Sequence, residues 1–387
     1  MELPIYLDHA ATTPVAREVL DAMLPYFTEF YGNASAIHSL GAAAREAVEC
    51  ARESVADALN ASPEEIVFTS GGTESDNAAL RGAAASRAKV GRHLLTTAIE
   101  HHAVLETMEA LAHRHGFELE IIPVDCEGRV DPEDVGKRIR PDTTLASVMH
   151  ANNEIGVIQP IAEIGAICRE RGVLFHTDAV QTAGKIPIDV RAMNLDLVSI
   201  SAHKLYGPKG IGALYVRRGV RIERYQDGGE QERGRRGGTI NVPGVVGLGK
   251  AISIAQAEME SEGARLQSLR DYLMDSLQSR IDGARIIGSR QHRLPMNAHL
   301  CIEGVQGEPV LLALDGAGIC ASAGSACTAG STDPSHVLKA LGIDRDLARG
   351  ALRLTLGKST SADALSYTVD VLADAVRDLR KMGAATH

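Results

Sequence analysis

From residue 60 to about 220 the chain alternates short β-rich runs with amphipathic helical stretches, and no other feature restricts the fold as much. The runs are IVFTS (66–70), HLLTT (93–97), LEIIPV (119–124), TLASVMH (144–150), VLFHTD (173–178), LVSIS (197–201) and IGALYV (211–216). Between them, 74–89, 101–115 and 160–171 read as crossover helices. A parallel strand pair needs a crossover connection, so this rhythm predicts βαβ units and a mostly parallel, seven-stranded sheet. Thr73, His101, Asn153, Asp178 and Lys204 each follow closely on a strand. In an open α/β sheet that is the carboxyl edge, where ligands bind, and five polar residues there predict a site.

After this region a charged, alanine-rich helical pattern runs from about 245 to 280. Strands are expected near 284–288, 297–303 and 318–322, with helices at 307–316 and 361–381. The fold class is therefore α/β, with a large domain at 15–255 and a smaller α+β domain built from 1–14 and 256–387. A hydrophobic content of 44% with 23% charged residues excludes a largely disordered chain. Absence of Trp, 3% aromatics and a net charge of −10 argue against nucleic-acid and anionic-membrane partners. No apolar run approaches the roughly 20 residues that span a bilayer. The N-terminus MELPIYLDHAATTP lacks a basic and then apolar leader, so a cytoplasmic location is expected. Six scattered cysteines fit free thiols in a reducing compartment, and without CxxC or CxxxC spacing no metal site is expected.

The polar strings carry distinct chemistry. In SAHKLYGPKGIGALYV (201–216), Lys204 sits between small residues and a glycine-rich turn, where an amine can meet an aldehyde cofactor with a flat ring. Alone, the string also fits a surface lysine in a turn. TSGGTESDN (69–77) is a strand end, a glycine turn and a helix start, with Thr73 as N-cap and Asp76 as its capping-box partner. The N–H groups of Gly72, Thr73 and Glu74 can bind a phosphate there, although a plain capped turn reads the same. In HTDAVQTAGK (176–185), Asp178 can pair with a protonated pyridine nitrogen or cap the short helix that follows, and Gln181 lies within reach of a ring hydroxyl. His101, in EHHAVLET, can stack on a ring and exchange protons or simply cap a helix, and Asn153 in MHANNEIG is a hydrogen-bond donor or part of a turn. Cys327 lies in ASAGSACTAGSTDPSH, a stretch of small residues expected to be mobile, with a helix starting at Asp333-Pro334.

Taken together, these strings resemble the pyridoxal-phosphate-dependent cysteine desulfurases of the iron-sulfur and nitrogen-fixation type, in the class V aminotransferase group of fold type I. The likeness runs nearly end to end, through YLDHAATTPV, YGNASAIHSLG, FTSGGTESDN, IEHHAVLE, ANNEIGVIQP, FHTDAVQTAGKIPID, SAHKLYGPKGIGALYVRRG, GGEQERGRRGGT, GSACTAGSTDPSHVLKALG and LRLTLG. The resemblance implies Lys204 as the cofactor-bearing lysine and Cys327 as the sulfur acceptor, also able to ligate an iron-sulfur cluster transiently. It implies Gly72, Thr73, Ser201 and His203 around the phosphate, with Thr239 reaching it from the second subunit of a homodimer. Asp178 would pair with the ring nitrogen, Gln181 and Asn153 would contact ring groups, and His101 would stack and shuttle protons. Arg353, helped by the segment of Asn33, would hold the substrate carboxylate. His9 and Ala10 replace the more usual asparagines, which bears on the shape of the substrate entrance.

The implied reaction takes L-cysteine to L-alanine: Lys204 or His101 removes the α-proton, and the Cys327 thiolate takes the sulfur as a persulfide. An iron-sulfur scaffold protein or a thiolation enzyme would then receive it. A selenocysteine lyase or an aminotransferase on the same fold needs no thiol acceptor, and a non-catalytic assembly scaffold needs no cofactor.

Overall fold

The structure is a computed structural model that describes residues 3–324 and 334–384; Cys327 and Asp333 lie outside the described residues. The first elements are β1 (Ile5–Tyr6), α1 (Arg17–Met23), α2 (Pro25–Thr28) and α3 (Ser39–Leu59). The alternating region then gives β2 (Ile66–Thr69), α4 (Gly72–Arg87), β3 (His93–Thr97), α5 (His102–His115), β4 (Glu118–Ile122), α6 (Pro132–Arg138) and β5 (Thr143–Ser147). It continues with α7 (Ile161–Arg171), β6 (Leu174–Asp178), β7 (Leu197–Ser201) and β8 (Gly212–Val216). Beyond it come α8 (Val242–Arg280), β9 (Ala284–Ile286), β10 (Asn297–Ile302), α9 (Gly307–Gly316), β11 (Ile319–Cys320), α10 (His336–Ala340), α11 (Arg345–Ala348), β12 (Ala351–Thr355) and α12 (Ala362–Ala384).

Seven strands form one sheet in the order β2-β8-β7-β6-β5-β3-β4. Pairs β3/β4, β3/β5, β5/β6 and β6/β7 are parallel, while β8 runs antiparallel to both β7 and β2. Two reversals cancel, so β2 points the same way as β7 and its carboxyl end joins the same edge. The sheet is covered on both faces, as parallel sheets require. Successive side chains alternate: Leu94, Leu145, Leu174 and Leu197 pack with Leu80, Val104 and Met108 of α4 and α5. Their neighbours Leu95, Ala146, Phe175 and Val198 join Val48, Val55, Leu248 and Ile252 of α3 and α8 on the other face. Helices α3 and α8 approach closely there, since a Cβ on Gly249 would meet Ala51 Cβ at 2.6 Å.

A second core gathers Leu266, Leu273 and Leu277 of α8, Leu300 of β10, Leu352 and Leu354 of β12, and Leu365, Val369 and Leu372 of α12. Its sheet has the order β12-β10-β9. The chain start is fastened to this part, with β1 parallel to β11 and the Leu7 N–H donating to Cys320 O at 2.8 Å. No helix among the described residues is long and apolar enough to cross a membrane.

Candidate active site

A cavity of about 270 Å³ opens at the carboxyl edge of the large sheet. It is lined by Gly72, Thr73, His101, Asn153, Asp178, Gln181, Ser201, His203, Lys204 and Arg353 together with Ala10, Ala11, Asp76, His102, Met149, Glu154, Val180 and His336.

The floor begins where β2 turns into α4. Gly71, with φ +150°, precedes the helix as its cap, and Gly72 is its first residue. This corrects the expected helix start, because Thr73 already lies inside the first turn and Asp76 makes no capping box. Asp76 is instead fully buried, 3.6 Å from His176 Nε2. A Cβ on Gly72 would come within 2.7 Å of Val180 Cγ2, so a side chain there would crowd the space before the helix. The first-turn N–H groups of α4 have no intrahelical acceptor, which makes this corner suited to an anion.

Beside it, β7 ends in a helical turn over Ala202–Lys204. The Lys204 Nζ donates to Ala10 O at 2.7 Å and to Ala11 O at 2.6 Å. Gln181 Nε2 also donates to Ala10 O, at 2.9 Å, while Gln181 Oε1 is buried without a hydrogen-bond partner. The loop after β1 therefore closes one wall through its backbone carbonyls. His203 Nδ1 lies 3.1 Å from Thr12 Oγ1, and its pKa is lowered to about 4 by burial and then by Lys204.

Asp178, the last residue of β6, is buried and accepts the Val180 N–H at 2.8 Å. Burial raises its pKa, while the positive charge available at His101 and Lys204 pulls the other way. Burial and then the charge of Asp178 push the Asp76 carboxyl well above the usual carboxylate range, against a hydrogen bond from Ser199. His176 beneath them has its pKa pushed down to about 3 by burial and is held between Ser147 and Ser199.

His101 is the N-cap of α5, and its Nδ1 accepts the Ala103 N–H at 3.1 Å. An N–H can only donate, so the neutral ring carries its hydrogen on Nε2. Its pKa is lowered, first by burial and then by Lys204, His102 and His336 against the pull of Asp178. His336 stands on the other side of His102, with ring centroids 4.8 Å apart, and donates Nε2–H to Glu100 O at 2.9 Å. The Glu100 side chain is buried, accepts from Thr97 Oγ1 and the Met149 N–H, and has its pKa raised to about 8 by burial.

Arg353 enters from β12, a strand that the sequence rhythm did not single out. It is 2% exposed, with Nη2 donating to Asp8 Oδ1 at 2.8 Å and Nη1 to Asn153 O at 2.9 Å. Its Nε is buried without a partner. An arginine so fixed presents a planar fork suited to a carboxylate.

Asn33 and Thr239 are not brought to the cavity. Both are exposed, and Asn33 Oδ1 accepts the Ser35 N–H instead. The helix expected at Asp333-Pro334 starts at His336, with Ser335 as its N-cap. Sequence reasoning missed His336, Asp8 and Glu100 as parts of the site. His336 and Asp8 lie within the quoted strings DPSHVL and YLDHAATTPV, but nothing in the strings marks which element turns them inward.

These residues fit pyridoxal phosphate: an anion corner at Gly72 and Thr73, a buried carboxylate at Asp178, an unpartnered amide oxygen at Gln181 and an amine at Lys204 converge on one cavity. The chain belongs to the class-V aminotransferase family, whose description matches it over residues 5–367. Among curated relatives it is 52% identical over 385 residues to the protein named Cysteine desulfurase IscS of Anaeromyxobacter dehalogenans, covering 99% of this chain and 95% of that one. The solved structure described as a NifS-like protein is 40% identical, with a TM-score of 0.92, covering 97% of this chain and 100% of that one. A structure described as SspA in complex with cysteine is 38% identical, with a TM-score of 0.81 over 91% of this chain and 98% of that one.

Proposed function

We propose that this cavity carries out the reaction of a pyridoxal-phosphate-dependent cysteine desulfurase, with Lys204, Asp178, His101 and Arg353 as its working residues and Cys327 as sulfur acceptor. The observation that carries the reading is the meeting of those first four side chains in one cavity at the strand edge, in a chain about half identical to a named cysteine desulfurase over its full length.

When bound, the cofactor supplies an aldehyde that condenses with amines and a ring that takes up the electrons of a broken Cα–H bond. Gly72, Thr73, Ser201 and His203 would hold its phosphate, with Thr239 of a second copy completing that shell. Asp178 would pair with the ring nitrogen, and Gln181 and Asn153 would contact ring groups. Arg353, braced by Asp8, takes the carboxylate of L-cysteine and so aims its α-hydrogen. Lys204 Nζ moves the α-proton, since an amine on a turn beside two carbonyls can shift between partners. His101 would stack on the ring, and it holds a proton at Nε2 that it could donate to developing negative charge. The sulfur step breaks the substrate Cβ–S bond and forms an S–S bond at Cys327, giving the enzyme persulfide and L-alanine.

A homodimer is supported by the exposed apolar residues Leu24, Phe27, Tyr31 and Ile37 near the chain start. The persulfide passes to an iron-sulfur scaffold protein or another thiolated acceptor. Five cysteines without a disulfide among the described residues support a reducing cytoplasm. The small domain is assigned to 1–14 and 256–387, a division supported by the separate core around α12. The test is alanine formation from L-cysteine by the loaded enzyme. Cys327→Ala should abolish it, and unchanged alanine release would assign the site to a lyase or aminotransferase that needs no thiol.

A further inference from the structure

A carboxylate sits in the first turn of the helix read above as the phosphate-binding one. Glu74 is the third residue of α4, next to Thr73, and its Oε2 accepts the Ser70 N–H at 2.8 Å. That bond sets a carboxylate at the strand-to-helix turn, beside the cavity-lining Gly72 and Thr73 and not itself part of the lining. Burial pushes the Glu74 carboxyl up, yet hydrogen bonds from Arg236 and Ser70 outweigh it and hold the carboxyl below its ordinary value. Glu74 is therefore charged, and its side chain is only 11% exposed, so water screens it weakly.

Its partner comes from the loop between β8 and α8. Arg236 Nε lies 2.9 Å from Glu74 Oε1 and Nη2 lies 3.3 Å from Oε2, a two-toothed pair that cancels the carboxylate charge. The same loop has a second, separate anchor. Glu232 accepts from Arg52 through both oxygens, at 2.8 and 2.9 Å, and its Oε2 also accepts the Phe68 N–H at 2.8 Å. Glu232 and Arg233 hold φ angles of +49° and +57°, unusual for side-chain-bearing residues. Thr239 follows Arg236 by three residues.

We propose that Arg236 is a positioning residue for the cofactor phosphate: by neutralising Glu74 it turns a helix start that already holds a carboxylate into one that accepts a second anion. The inference rests on the site reading given above. Without Arg236, the phosphate would meet an unbalanced negative charge at the helix start, and its affinity would fall while that of an uncharged ring would not.

Full-length protein freed of cofactor is titrated with pyridoxal phosphate, pyridoxal and inorganic phosphate. Arg236→Gln is expected to weaken pyridoxal phosphate and phosphate at least tenfold and to leave pyridoxal within twofold. Arg236→Lys, which keeps the charge, stays within threefold of wild type for all three, and it carries the test alone if Arg236→Gln does not fold. The double variant Glu74→Gln/Arg236→Gln regains most of the lost phosphate affinity, because it removes the charge that needed cancelling. Equal loss of pyridoxal, a tenfold loss in Arg236→Lys, or no recovery in the double variant would mean a purely structural role and overturn the inference. Wild-type protein that takes up no pyridoxal phosphate overturns the site reading, and this inference with it.

Discussion

The Nδ1 of His101 accepts the backbone N–H of Ala103 at 3.1 Å, so one bond both caps α5 and fixes where the imidazole keeps its hydrogen. On the proposed function, that arrangement divides the labour between His101 and Lys204: a ring whose free nitrogen is already protonated would donate, and the lysine would accept the α-hydrogen. Deuterium uptake at Cα of the substrate in heavy water separates the two. Lys204→Ala is expected to slow uptake by about 10²–10⁴-fold, the usual worth of a positioned base. His101→Gln, which keeps a donor, is expected to slow it by less than about tenfold. Equal losses would place the base at His101.

Arg353 is braced by Asp8 and by the Asn153 carbonyl, and this predicts a binding defect more than a chemical one. Arg353→Gln should raise KM for L-cysteine by about 10- to 100-fold, the range of a charge-assisted hydrogen bond of about 1.5–3 kcal/mol. Asp8→Asn should raise it less, since the guanidinium stays in place. Steady-state kinetics of both variants checks the order.

The pH dependence of stability offers a test at Glu100. Its pKa rises from 4.5 to about 8 on folding because burial disfavours the carboxylate. The folded state thus holds a proton that the unfolded chain has released. Stability from this group is full below pH 4.5 and is lost as pH rises to about 8. Gln at this position keeps an acceptor for Thr97 and Met149 and cannot ionise. Thermal unfolding of Glu100→Gln should match wild type near pH 4.5 and exceed it increasingly toward pH 8. A constant difference across that range would contradict a protonated Glu100.

Much of this site is legible in the sequence, and the reasons are physical. The seven strand runs alternate with helices, and His101, Asp178 and Lys204 each follow closely on one of them, so the edge that carries them is readable from the sequence. The inward turn of Asp76 is not legible in the sequence, because Ser75, Asp76 and Asn77 are all small and polar, and only packing of α4 on the sheet decides which faces inward. The tautomer of His101 depends on a single cap bond, which its residue type does not encode. Arg236 and Glu74 are 162 positions apart, so their pairing appears only when the loop folds back onto α4. Asn33 and Thr239 stay outside a cavity built from one chain, and no local string says whether a residue serves its own chain or a partner.

The central claim is that sulfur from L-cysteine comes to rest on one thiol. Mass spectrometry of the peptide containing Cys327, after loaded enzyme meets L-cysteine without an acceptor, reads this directly. The account predicts a gain of one sulfur atom on Cys327, matched by released alanine and absent in Cys327→Ser. Alanine released at the wild-type rate by Cys327→Ser, with no added sulfur on the wild-type peptide, would contradict it.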